Sequence, residues 1–284
     1  MLRSPAAPQF YAGNIERQIS GFLSEYNIPN DLNNPVAGIV PHAGWMYSGS
    51  VAAKVFSSFK ELNQPESIIL FGAVHNSWHV KENSLFPEGA WNTPLGDVKI
   101  DSELADIIIE ESNGLIIENP SAHDGEHSLE VQLPFIKYFF PDAAIVPIAV
   151  LPDQNAVEVG KVSAKAIEKY NKTVVAVGSS DLTHYGENYG FAPAGSGMKA
   201  KEWMEENDRK IIEKALKMDA EQIVETAVRN HCACGSGAMA AATAFAIGCG
   251  AEKGILLEYI TSFDVSPEPQ FNLAVGYAGI VFDK

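Results

Sequence analysis

The sequence predicts an α/β fold, with a central mixed, mostly parallel sheet covered by helices on both faces. Three observations predict it. Residues 36–40, 67–72, 144–150 and 173–178 are, apart from Ser67 and Thr173 at two of their starts, apolar rather than alternating, as strands buried on both faces are. Segments of helical periodicity separate these runs, so strand and helix alternate along the chain. No repeat, low-complexity tract or linker interrupts the order, and 284 residues with 46% hydrophobic content suffice for one large core. Residues 1–284 therefore read as a single domain.

The elements follow in order. Residues 14–27 carry Ile15, Ile19, Phe22 and Leu23 at helical spacing. The run 36–40 is stopped by Pro41, which suits a strand ending in a loop. A helix over 49–62 and a strand over 67–72 come next. Short strands are expected within 84–100, around a turn at Pro94-Leu95-Gly96-Asp97. Asp101 caps a helix over 101–112 with acids in its first turn. Over 126–140, Leu129, Leu133, Ile136 and Phe140 share one helical face, with Pro134 as a kink. A strand at 144–150, a helix at 155–170 and a strand at 173–178 follow. Residues 185–200, rich in Gly and Pro, read as a loop. Helices at 199–217, 219–229 and 235–248 come next. The runs 254–262 and 272–282 close the chain as strands able to pair as an antiparallel edge.

Charge excludes some partners. The net charge is −16, from 20 basic and 36 acidic residues, and no Lys/Arg cluster breaks it locally. Such a field repels nucleic acid and anionic membrane. The longest apolar stretch, 238–250, is too short for the ~20 residues a bilayer span needs. The first eight residues hold no continuous apolar run, so neither a secretory signal nor an anchor is expected there. Three cysteines, Cys232, Cys234 and Cys249, are too few for a disulfide scaffold and fit a reducing cytoplasm.

The histidines carry the chemistry. His42, His75 and His184 each fall a few residues past a predicted strand end, where ligands bind in open α/β sheets. Two imidazoles leave a transition metal short of protein ligands, and Cys234, where the chain enters a helix, is the candidate third. A helix N-terminus would lower its thiol pKa; the alternative is a small residue chosen for packing. Cys232, two residues earlier, joins that site, substitutes for Cys234 in it, or is a bystander. His123-Asp124-Gly125-Glu126-His127 matches the H-x-x-E-H signature of inverted zinc peptidases, although Asp124-Gly125 favours a turn over the helix that this chemistry needs. His79 is spaced i,i+4 from His75 and reads as a loop or surface residue.

Five segments, in order, resemble the Memo-like family, also called AmmeMemoRadiSam system protein B. They are Val40-Pro41-His42-Ala43-Gly44-Trp45-Met46-Tyr47-Ser48-Gly49, Thr93-Pro94-Leu95-Gly96, Glu126-His127-Ser128-Leu129-Glu130-Val131-Gln132-Leu133-Pro134-Phe135, Ser179-Ser180-Asp181-Leu182-Thr183-His184 and Cys234-Gly235. The resemblance covers residues 6–280. It implies the fold of class III extradiol dioxygenases, which open catechol-type rings with non-haem Fe(II) and O₂. It assigns His42 and His75 as metal ligands, places Cys234 where those enzymes hold a carboxylate ligand, and makes His184 the acid/base with His127 in the same pocket. A thiolate in place of the carboxylate shifts preference from Fe(II) toward copper or zinc. Asp181 either orients His184 or caps a turn. Trp45 and Tyr47 would wall the pocket for a planar substrate. A metal-dependent redox protein, a metal- or peptide-binding module and a zinc hydrolase thus remain the competing readings, with a small aromatic substrate or a peptide as ligand. A homo-oligomer is compatible with all three.

Overall fold

The computed structural model, which describes residues 1–75 and 80–284, places the four apolar runs at the centre of one large mixed sheet. The strands are β1 (Leu2–Arg3), β2 (Pro35–Val40), β3 (Ser67–Gly72), β4 (Asn83–Leu85), β5 (Ala90–Trp91), β6 (Val98–Lys99), β7 (Ile116–Glu118), β8 (Ala144–Ala149), β9 (Val174–Ser179), β10 (His184–Tyr185), β11 (Lys253–Thr261) and β12 (Ala274–Asp283). The helices are α1 (Ile15–Phe22), α2 (Trp45–Leu62), α3 (Ser102–Ser112), α4 (Leu133–Phe139), α5 (Ala156–Ile167), α6 (Met198–Leu216), α7 (Ala220–Asn230), α8 (Ser236–Gly248) and α9 (Ser262–Val265).

The sheet runs β10-β12-β2-β9-β3-β8-β4-β7, with β11 also on β12. β2, β9, β3 and β8 are parallel. β12 runs antiparallel to β2 and β11 antiparallel to β12, so the last two strands pair as expected and β12 is enclosed. β1, β5 and β6 form a separate small sheet.

Two-residue alternation decides which layer each strand side chain feeds. Ile68 and Leu70 pack in the layer of α1, α2 and α4, whereas Ile69 and Phe71 pack in that of α3, α5, α6, α7 and α8. Both layers pack mainly apolar side chains against the sheet, which is why the central runs show no polar alternation. The architecture is consistent with a Memo-like, extradiol-dioxygenase-type fold.

One expected helix is corrected. Residues 126–140 do not form a helix kinked at Pro134: a turn leads into a 3₁₀ segment at Glu130–Gln132, and α4 starts at Leu133. Proline lacks an N–H and its ring collides with the carbonyl four residues back, so it is tolerated in the first helical turn, where Pro134 lies. The chain before it is free to turn polar side chains inward. α1 likewise ends at Phe22 rather than at 27. Among the described residues, no helix is long and apolar enough to cross a membrane.

Candidate metal centre

The topology brings three strand ends together. β2, β9 and β3 are parallel neighbours, with Val40 opposite Ser179 and Phe71 opposite Gly178. The segments that leave them carry His42, then Ser179 through His184, then His75. Cys234 arrives from the α7–α8 turn, whose backbone is fastened to the end of β9. Cys234 N–H donates to Asp181 O (3.2 Å) and Gly235 N–H to Ser180 Oγ (2.9 Å). A Cβ on Gly235 would lie 2.4 Å from Ser179 O, so only glycine permits this approach.

His42 Nε2 stands 3.2 Å from Cys234 Sγ, and the ligand atoms of His42, His75 and Cys234 all lie within 4.8 Å of one another. Hydrogen bonding fixes which imidazole nitrogen is bare. The single Ser179 hydroxyl proton is donated to Ser128 O (2.7 Å), so at 3.0 Å His42 Nδ1–H must be the donor to Ser179 Oγ. Gln132 Nε2–H fills the other Ser179 lone pair at 3.2 Å and also donates to Pro41 O (2.8 Å). The His42 Nε2 lone pair therefore faces Cys234. His75 is held alike: its Nδ1–H donates to Glu126 Oε1 (2.9 Å), leaving Nε2 bare. Carboxylate or hydroxyl groups that set the tautomer of a ligating imidazole are the expected surroundings of a bound ion.

His75, Glu126 and His127 form a second candidate group. Glu126, however, already accepts from the N–H groups of His75 (2.9 Å), His127 (2.9 Å) and Ser128 (2.8 Å), besides His75 Nδ1. Its lone pairs are engaged, so it supports His75 and does not ligate.

Electrostatics suits a cation. Burial, then the neighbouring His75 and His127, hold His42 well below its usual pKa, so it is neutral at pH 7 and able to ligate. Burial would lower His75, but the Glu126 carboxylate overturns this and raises it. Glu126 is correspondingly held well below the carboxylate range, against the effect of its burial, by His75 and by backbone N–H groups. Burial, then His75, lower His127. Contrary to the helix-terminus expectation, burial and then the Asp181 carboxylate push the Cys234 thiol up. An arriving cation would reverse that penalty.

A cleft of about 340 Å³ opens beside this group. His127, His184 and Asp181 line it, as does Tyr47. Trp45 does not: its indole is 2% exposed, stacks on Phe135 at 3.9 Å and donates Nε1–H to Val131 O (3.1 Å). Two helical positions differ by roughly 200°, so Trp45 and Tyr47 cannot share a face of α2. Asp181 does not hydrogen-bond His184 among the described contacts. It accepts from the backbone N–H groups of His42 (2.7 Å) and Ala43 (3.2 Å), so it ties down the loop carrying His42. His184 Nδ1–H donates instead to Leu182 O (3.1 Å).

The H-x-x-E-H segment is not a helix. Gly125 takes φ +72°, and His123 ends a 3₁₀ turn with its ring buried between Phe86 and Trp91 and Nε2 on Ser84 O (3.1 Å). Burial lowers its pKa to about 4. Cys232 is fully buried, points its thiol at Thr226 O (3.7 Å) and is pushed up to about 12 by burial. His79 lies outside the described residues.

Glu126, Ser179, Gln132 and Glu130 act here although the histidine pattern does not disclose them. For Glu126, Glu130 and Gln132 the signal is polar side chains within the expected helix 126–140; for Ser179 it is a polar residue directly after the apolar run 173–178. Glu130 anchors the segment 3–11: it accepts from Arg3 Nη1 (3.0 Å), Ala6 N–H (2.6 Å), Ala7 N–H (2.8 Å) and Tyr11 OH (2.8 Å). Arg3 also donates to His123 O and Glu126 O (2.9 and 2.6 Å), bracing the turn that carries Glu126.

Comparison with known proteins places the chain in one family over its whole length. The family model described as "Memo-like protein" matches residues 3–281. A MEMO1 family protein of Thermococcus onnurineus is 35% identical, with all of both chains covered. Those of Pyrococcus abyssi and Methanopyrus kandleri are 35% and 34% identical over the same full extent.

Proposed function

The chain belongs to the Memo-like family, and from that membership and the geometry above we propose that it is a metal-dependent redox protein of oxygenase-like type. Its ion, Fe(II) or copper, would be held by His42, His75 and Cys234. One observation carries this: the bare His42 Nε2 faces Cys234 Sγ at 3.2 Å, with His75 beside them and both imidazole tautomers set by buried partners. A soft thiolate with two imidazoles suits copper or zinc better than a carboxylate would, and an iron site keeps its precedent in the dioxygenase-like fold.

An ion held by His42, His75 and Cys234 would supply charge stabilisation and redox capacity beside the cleft. The chain's own residues do the rest. His184 keeps Nδ1–H on Leu182 O, so Nε2 is left to accept or return a proton in the cleft. His127, lowered by burial, presents a neutral ring to a ligand, edge-on to Phe10 at 5.0 Å. Asp181 keeps the His42 loop in register with β9. A small planar ligand would lie between these rings. The cysteines, all free, suit a reducing cytoplasm.

A non-enzymatic metal- or peptide-binding module is the second reading, favoured by the thiolate donor. It leaves His184, a proton carrier in the cleft, without a task. Anaerobic metal analysis of the wild type beside His42→Ala and Cys234→Ala tests the proposal. Stoichiometric iron or copper, lost in both variants, is the expected result. A wild type that stays empty after reconstitution with Fe(II), Cu(I) and Zn(II) overturns it, and exclusive zinc binding removes its redox part.

A further inference from the structure

The cleft beyond the histidines has a composition of its own. Its walls are aromatic, from Phe10, Tyr47, Tyr189, Phe263 and Tyr277. Its charged groups are carboxylates: Asp181 at the inner end and Glu268 at the rim. Among the described residues no Lys or Arg lines it, and residues 76–79, Asn-Ser-Trp-His, contain neither.

Asp181 adds a directional signal. It is 3% exposed and reaches the cleft wall. Its Oδ1 takes both backbone N–H groups of the His42 loop, while Oδ2 accepts no hydrogen bond among the described residues and lies 4.0 Å from His42 Nε2. That oxygen, on a side chain that lines the cleft, is free to accept from a donor bound there. Aromatic faces attract cations, and a cationic donor makes the stronger hydrogen bond to a carboxylate. The net charge of −16 acts in the same sense at long range. Beyond the metal centre, an anionic tail would find no counter-charge among the described side chains that line the walls. The volume, about 340 Å³, lies at the small end of ligand clefts, which fits a single substituted ring.

We propose that this cleft binds a single-ring aromatic compound bearing a positively charged amine, and discriminates against aromatic carboxylates. The proposal rests on reading the cleft as the ligand site of the metal centre. It separates three ligands that share a phenol ring and differ in their tail: tyramine, 4-ethylphenol and 4-hydroxyphenylacetate.

Isothermal titration of these three into the protein, as purified and after anaerobic Fe(II) loading, is the test. Tyramine should bind at least roughly tenfold more tightly than 4-hydroxyphenylacetate, with 4-ethylphenol between them. Glu268→Lys should narrow that gap about threefold to fivefold, as an exposed charge allows, without moving the melting temperature. Equal affinities, or tightest binding of the carboxylate, overturn the inference and leave the metal centre standing. Failure of all three to bind a protein that holds its metal does the same. Failure to bind both rings and metal overturns the inference together with the reading beneath it.

Discussion

Glu126→Gln is the sharpest test of how the metal centre is held. Glu126 is 6% exposed, and its carboxylate receives only donors: three backbone N–H groups and His75 Nδ1–H, at 2.8–2.9 Å. Glutamine keeps the shape but turns one oxygen into an NH₂ group that must face one of those N–H donors. An unsatisfied buried donor costs about 1–3 kcal/mol, so the variant should melt earlier by that much stability. The His75 tautomer also loses its charged anchor, and a support of this kind is worth about tenfold to a hundredfold in metal affinity. Chelator competition on wild type, Glu126→Gln and His75→Ala measures it. The Gln variant should lie between the other two. Wild-type affinity in Glu126→Gln alongside weak binding in His75→Ala would show that Glu126 does not position the ligand, and the argument from tautomer control would be wrong.

Three further outcomes follow from the same contacts. His123→Ala should keep full metal stoichiometry while His42→Ala and Cys234→Ala lose it, since His123 is packed against Trp91 and Phe86; metal loss in His123→Ala would restore the zinc-hydrolase arrangement. Arg3→Ala leaves the Glu130 carboxylate buried without its cation, a loss of about 3–5 kcal/mol, and a double-mutant cycle with Glu130→Gln should show strong coupling in thermal denaturation. Asp208, fully buried and bonded to Thr183 N–H (2.9 Å) and Tyr259 OH (2.8 Å), is raised by burial to about 7. It binds its proton more tightly folded than unfolded. Its contribution is therefore fully present below the unfolded pKa of about 4 and is lost as pH rises through about 7. Asp208→Asn should flatten the fall in stability over that window, and an unchanged profile would refute the assignment.

The central sheet and the histidine convergence could be read from residue type alone because each rests on a local rule. Fully apolar runs mark strands covered on both faces, and His42, His75 and His184 sit where parallel strands end. The arrangement around them could not be read in the same way. The face shared by Leu129, Leu133 and Ile136 suggested a continuous helix, and Pro134 was assigned a kink when it instead marks the start of α4. That change turns Glu126, Glu130 and Gln132 inward, toward partners up to 127 residues away in sequence, such as Arg3 for Glu130. Trp45 and Tyr47 are two residues apart, and helix geometry sends one into the core and one into the cleft. The Cys234 thiol depends on burial, which outweighs the favourable end of α8.

That last balance has a consequence for metal binding. Burial and the Asp181 carboxylate hold the Cys234 proton on sulfur near neutral pH, whereas an ion takes the thiolate. Binding must therefore release that proton. His42, neutral because it is buried beside two other imidazoles, releases none. His75, raised by Glu126, carries a proton over part of the same range and gives it up to a ligated ion. Cys234 alone makes the apparent affinity climb about tenfold per pH unit between roughly pH 6 and 8, and His75 steepens the slope at the acid end. Chelator competition across that range reads the slope directly. Cys234→Ala should lose stoichiometric binding at every pH in that range, so the thiol's share is read from the wild-type slope. A wild-type affinity that does not change with pH would mean that no proton leaves, and Cys234 would then not be a ligand.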